Sequence, residues 1–293
     1  MESVQCNFGD ICLIKSKGRK LLNGNITFRS NYSWDCPIKE KFNTGYSFEN
    51  ARSLMEFSYR VAVHNREVAI TDPNPVKLDP PGFDVVIPLN CTVLYHQVNV
   101  LWFFYSTSMN IAVVVFTSTY NNILWSVDVN YPQIDPTSIG NYTTGMKLHG
   151  GFWSLYLSIQ SELLVLLEKY TNKSTQTLIT GYSLGGAMST ICMLDLYNKS
   201  ISVNHKIQDI IHYSFASPRC FNTVESRYYM SLDLNSYRTV NESDVIPTTP
   251  LAVMPMSQDF THVTKIIYFD MNMLSHYDNH VTAYVKYHDL SEL

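Results

Sequence analysis

No continuous apolar run in this chain approaches the roughly 18 residues that a membrane-spanning helix needs. The longest, Ile111 to Phe116 and Leu163 to Leu167, fall far short, so no transmembrane segment is expected. Basic residues are few: 21 Lys and Arg stand against 25 Asp and Glu, for a net charge of -4. Without a basic block there is no electrostatic footprint for a phosphate backbone, which excludes nucleic acid as an expected partner. No Cys-x-x-Cys pair or Cys/His cluster points to zinc, so no metal is expected. Repeats, low-complexity tracts and Pro/Gly/Ser linkers are also missing, and one main domain is the simplest organisation. Glu2, Asp10, Lys15, Lys17, Arg19 and Lys20 break any apolar stretch near the start, so no signal peptide is expected and a cytoplasmic location is favoured. Seven Asn-x-Ser/Thr sequons, at Asn25, Asn31, Asn90, Asn141, Asn172, Asn198 and Asn241, keep secretion open, although on the order of four would arise by chance in so Asn-, Ser- and Thr-rich a chain.

What is present is the composition of a folded globular protein. Of 293 residues, 45% are hydrophobic, which excludes a disordered chain. The 20 Tyr and 14 Phe read as core and groove lining rather than as a cofactor site. Cys6, Cys12, Cys36, Cys91, Cys192 and Cys220 could make three disulfides, but a chain of this size folds without staples, and Cys192 and Cys220 sit in core-like surroundings.

Along the chain, Ser47 to Val63 has helical spacing, and β-branched and aromatic runs at Asp84 to Pro88, Val98 to Tyr105 and Ile111 to Phe116 read as strands, the last one buried on both faces. A helix over Phe152 to Tyr170, a strand over Thr177 to Thr180 and a helix over Gly185 to Tyr197 follow. Further strands fall at Asp209 to Phe215, Tyr237 to Val240 and Lys265 to Phe269, before a closing helix from about His280 to Lys286. Strands alternating with helices predict an α/β fold, with a mainly parallel central sheet and helices on both faces.

The informative stretch is Gly181-Tyr-Ser183-Leu-Gly185-Gly186. A Ser on a sharp strand-to-helix turn must take a strained backbone conformation that lifts its hydroxyl above the sheet, and glycines two residues to either side make that turn sterically feasible. The following helix directs a positive dipole end at charge developing there. Ser183 is therefore the candidate nucleophile.

Together with Leu148-His149-Gly150-Gly151-Phe152 upstream and Phe215-Ala-Ser-Pro218-Arg219 downstream, this motif resembles the class 3 lipases, the fungal-type triacylglycerol lipase family, over roughly residues 47 to 287. The resemblance implies an α/β-hydrolase fold and a Ser-Asp-His triad acting on lipid esters through an acyl-enzyme, without metal or organic cofactor. It implies a lipid ester partner at a lipid–water interface, with esterase or phospholipase activity, or an inactive binding relative, as alternatives. On this view residues 46–293 form the hydrolase domain and residues 1–45 an extension of unassigned role packed on it.

Chain order in these enzymes is Ser, acid, base. In Arg238-Thr-Val-Asn241-Glu-Ser-Asp244-Val-Ile-Pro247, Asp244 matches the family's acid, with Glu242 and Asp233 as weaker substitutes. For the base, His280 in Asp278-Asn279-His280-Val-Thr-Ala-Tyr284 matches best, and His276, His262 and His288 stay open. His149 is expected to be structural. Leu184, directly after the nucleophile, should donate its N–H to the oxyanion. Thr119 in Phe116-Thr117-Ser118-Thr119 stands where the family's Phe-Arg-Gly-Ser/Thr supplies the second donor. Two positions depart from the pattern: Thr117-Ser118 for Arg-Gly, and Tyr182 for the usual His. Tyr120 to Asp128 resembles the family's lid helix, with Trp125 and Asp128 at the matching positions.

Overall fold

The computed structural model describes residues 14–15, 34–72, 75–136, 144–202, 209–254, 258–263, 265–288 and 290. Their order is β1 (Ile14–Lys15), α1 (Phe48–Ala69), β2 (Val85–Val93), β3 (His96–Ser106), β4 (Ile111–Phe116), α2 (Asn122–Asp128), β5 (Gln133–Ile134), β6 (Leu148–His149), α3 (Gly150–Tyr170), β7 (Gln176–Tyr182) and α4 (Leu184–Ser202). After these come β8 (Asp209–Phe215), α5 (Thr223–Ser231), β9 (Ser236–Asn241), β10 (Val253–Met254), β11 (Gln258–Asp259), β12 (Lys265–Phe269), α6 (His276–His280) and α7 (Thr282–Tyr287).

Eight strands form the central sheet in the order β1-β12-β9-β8-β7-β4-β3-β2. From β1 to β4 the pairings are parallel, and β4-β3-β2 close one side as an antiparallel meander. The central strands β4 and β7 are buried at every residue, as expected of strands covered on both faces. One core cluster lies under α2, α3 and α4, with Leu124, Tyr156, Ile159, Met188 and Ile191 at its centre. The second lies under α1 and α7 and includes Leu54, Phe57, Val61 and Tyr284. These are the two helical layers of an α/β-hydrolase.

The elements differ from the sequence expectations at several ends. Strand β2 runs past Pro88 to Val93; it is the outermost strand on its side, where a residue without an N–H is tolerated. Helix α1 continues beyond Val63 to Ala69, starting from Ser47, whose side chain accepts the N–H of Asn50. The closing helix is two short helices, α6 and α7, meeting at Val281. Helix α3 is long and apolar enough to cross a bilayer by composition alone, but 61% of that window is buried within the fold.

Most of residues 1–45 lies outside the described residues. Within the part that is described, Trp34 and Ile38 are buried in the second core. The buried Glu56 carboxylate accepts the N–H groups of Asp35 and Cys36 and the Nε of Arg60. The Arg60 guanidinium in turn lies 4.6 Å over the Trp34 ring. This strap holds residues 34–36 against α1. Among the described residues Cys91, Cys192 and Cys220 are free thiols, and Cys6 and Cys12 lie outside the described residues.

Candidate active site

At the end of β7 the chain turns into α4 through Ser183, which adopts φ 57. A non-glycine residue there costs of order 1–3 kcal/mol and persists only if its surroundings hold it. They do so by close approach. A Cβ on Gly181 would lie 2.1 Å from the carbonyl oxygen of Gly185, and one on Gly185 would lie 2.4 Å from that of Phe116. The turn thus fits between β7, α4 and the end of β4 only with glycine at both positions. Ser183 N–H donates to the Phe215 carbonyl, which ties the turn to β8 as well.

The hydroxyl so presented meets an imidazole. His280 Nε2 lies 2.9 Å from Ser183 Oγ, and its Nδ1 lies 2.8 Å from Asp244 Oδ2. Asp244 follows β9, the second strand from β7, and is buried. Its Oδ1 accepts the N–H of Ile246, and its Oδ2 also accepts the hydroxyl of Tyr284 at 3.0 Å. With His280 Nδ1–H also on Oδ2, Nε2 is left as the acceptor facing Ser183.

The alternative residues lie elsewhere. His276 is exposed at the first position of α6, His262 is half-buried against the Pro247 carbonyl, and the His288 Nδ1 meets the Tyr284 carbonyl. Glu242 is exposed, and Asp233 pairs with Lys265 at 3.1 Å. His149 caps α3, accepting the Phe152 N–H, and stacks on the Phe152 ring at 3.7 Å. Burial pushes its pKa down to about 4, so it is a neutral packing residue.

The two residues expected as oxyanion donors, Leu184 and Thr119, line the same cavity as Ser183. Leu184 is the first residue of α4, so its N–H has no partner within the helix. Thr119 lies just beyond β4, with its hydroxyl donating to Asp128 Oδ2 at 2.7 Å. Burial pushes the Asp128 carboxyl up to about 6, with the Thr119 bond acting against the shift. Ser183, Leu184, Thr119 and His280 all line one cavity of about 760 Å³. Tyr120, Trp125, Val129, Phe152 and Leu251 give it a largely apolar wall.

The model of the class 3 lipase family matches residues 113–254, the segment that carries Thr119, Ser183, Leu184 and Asp244. Over this segment, just under half of the chain, the sequence matches the class 3 lipases. A lipase of Rhizomucor miehei is 29% identical over 141 residues, covering 47% of this chain and 37% of the relative. Phospholipase A1-IIgamma of Arabidopsis thaliana is 28% identical over 159 residues, covering 47% and 38%. The chain thus spans well under two thirds of the length of these relatives. The solved structure of Rhizomucor miehei lipase with its propeptide superposes with a TM-score of 0.57 at 20% identity, covering 84% of this chain and 77% of that one. At that identity the likeness shows the fold.

Both departures from the class 3 lipase pattern have a structural counterpart. Thr117 Oγ1 accepts the Asn65 amide at 2.6 Å, and Asn65 Oδ1 accepts the Trp102 indole N–H. The loop before Thr119 is thereby fixed to α1 and β3 without an arginine. Tyr182 is buried and donates its hydroxyl to the backbone carbonyl of His280. Its ring lies 5.0 Å from the His280 ring. Tyr182, Tyr284 and Asn65 were not foreseen as supports of the site. For Tyr284 the only signal was an aromatic residue one helical turn after His280.

Proposed function

We propose that this chain is a serine hydrolase that cleaves carboxylic esters of lipids. The observation that carries the reading is the 2.9 Å contact between Ser183 Oγ and His280 Nε2, on a strained turn that opens into an apolar cavity. Ser183 Oγ attacks the ester carbonyl while His280 Nε2 takes its proton, and the Asp244 carboxylate stabilises the imidazolium without itself being protonated. The carbonyl oxygen, now negative, is held by the N–H of Leu184 and by Thr119. Collapse expels the alcohol, which takes the proton from His280 and leaves the acyl group on Ser183. Water then attacks by the same route and releases the carboxylic acid.

The apolar wall supports a long acyl chain as the group bound. Helix α2 supports a lid. Its Leu124 and Val127 are buried, while Trp125 is exposed beside the cavity, as are Val129 and Leu251. A helix with an apolar outer residue at the mouth of an apolar cavity would open toward a lipid surface.

A fluorophosphonate probe and p-nitrophenyl esters of short and long chain test the assignment. Wild type should label and turn over, Ser183→Ala and His280→Ala should fall to background, and His276→Ala should stay active. A folded wild type that neither labels nor hydrolyses any ester would overturn the hydrolase reading.

A further inference from the structure

We infer that the tip of the β2–β3 hairpin is an anchor, separate from α2, that docks on a lipid surface without net charge. This deepens the proposed function, on which the choice of lipid as the partner rests. The two residues that join the strands, Leu94 and Tyr95, both take positive φ, 47 and 68. A two-residue hairpin turn of that kind is ordinarily filled by Asn-Gly or Asp-Gly, because other side chains strain the left-handed backbone. Leu94 is nevertheless 64% exposed and Tyr95 100% exposed, so neither serves the core. Two large apolar side chains that strain the turn and face solvent point to a function at the tip.

The tip stands at the catalytic end of the sheet. Leu101 pairs with Phe116, the last residue of β4, and Phe116 pairs with Gly181, two residues before Ser183. The hairpin runs on past that level from Leu101 back to Tyr95, about 20 Å of strand, whereas Ser183 lies only about 7 Å past it. On the hairpin stem the Asn99 N–H donates to the Tyr120 hydroxyl, and Tyr120 lines the cavity, as do the exposed Trp125 and Val129. Residues 85–127, which hold the hairpin, β4 and all of α2 but Asp128, contain no Asp, Glu, Lys or Arg, in a chain that is 16% charged. A face without ions loses no hydration of charge on entering an apolar phase, and it has no cations to grip anionic headgroups. A lipid surface without net charge fits it, with the Tyr95 phenol at the polar boundary.

Flotation on vesicles of ether-linked phosphatidylcholine, which present the surface without a scissile ester, measures the anchor. Hydrolysis of soluble p-nitrophenyl butyrate measures the catalytic site alone. Wild type should bind the vesicles, and the double variant Leu94→Asn, Tyr95→Gly should bind about ten-fold more weakly or worse. The same variant should turn over the soluble ester as wild type does and melt no lower, since it installs the ordinary residues of the turn. Tyr95→Trp should be quenched by brominated lipid beyond the quenching of the four native tryptophans. Unchanged vesicle affinity in the double variant, or no added quenching in Tyr95→Trp, would overturn the inference and leave the hydrolase reading standing. Wild-type binding that appears only on anionic vesicles would also overturn it. Vesicle binding lost in the double variant, from a wild type that hydrolyses no ester, would sustain the anchor and remove the hydrolase reading.

Discussion

Replacing Glu225 by glutamine should stabilise the fold, and the gain should grow with pH. Glu225 sits in the first turn of α5, fully buried, and neither carboxylate oxygen has a hydrogen-bond partner among the described residues. Burial pushes its pKa from the ordinary 4.5 up to about 7. The unfolded chain therefore loses this proton near pH 4.5, while the folded chain keeps it until about 7. Across that window the folded state binds more protons, so stability falls as pH rises, and the penalty is complete above 7. At roughly 1.4 kcal/mol per pH unit the full penalty is about 3 kcal/mol. The helix dipole favours a charge here by only about 0.3–1 kcal/mol, which cannot reverse the sign. Glutamine keeps the shape but leaves an unpartnered amide, worth about 1 kcal/mol. The expected net effect is thus a gain of about 2 kcal/mol at pH 8 that becomes a loss of roughly 0.5 kcal/mol at pH 4.5. Urea midpoints of wild type and Glu225→Gln at pH 4.5, 6 and 8 measure it. A variant less stable than wild type at pH 8, or a difference that does not grow with pH, would refute the reasoning.

Gly185→Ala drives a Cβ against the Phe116 and Thr117 carbonyls at 2.4 and 2.7 Å; displacement of Ser183 should cost about 10²-fold or more in ester hydrolysis, and normal fluorophosphonate labelling of this variant would contradict the account of the turn. Thr119→Val removes the hydroxyl held by Asp128 and should lower kcat up to about 10²-fold, whereas Thr119→Ser should retain most activity; equal loss in both would show that the hydroxyl is not what matters. If α2 is a lid, hydrolysis of a sparingly soluble ester should rise sharply above its solubility limit, and Trp125→Ala should blunt the rise. A smooth hyperbola through that limit would dismiss the lid.

The parallel core was legible because its strands are short, largely apolar and interleaved with helices of clear spacing, as with Ile111–Phe116 and Lys265–Phe269. Ser183 was legible because a strained turn demands glycines that have few other reasons to stand there. Helix α5 was not foreseen: its residues are mixed and polar, although Asn222 followed by Glu225 is a capping signal that could have marked its start. The end of β2 was misjudged because proline stops a central strand but not an edge, and strand order cannot be read locally. Choosing His280 over His276 relied on the family resemblance, since two histidines four residues apart differ only once the break at Val281 is known. The supports Asn65, Tyr182 and Tyr284 were hidden for a similar reason, being 52, 98 and 40 residues from the partners they hold.

The groups around the reacting hydroxyl do not rest on equally firm ground. Ser183, Leu184 and Thr119 spring directly from the buried centre of the sheet, so they move only when the sheet does. His280 ends a five-residue helix hung on the fold by the Tyr182 hydroxyl and by the Asn241 amide at the Asn279 carbonyl. Mild heat or denaturant should therefore release His280 while the core is intact. On the proposed function, activity should be lost before the fold and should return on cooling.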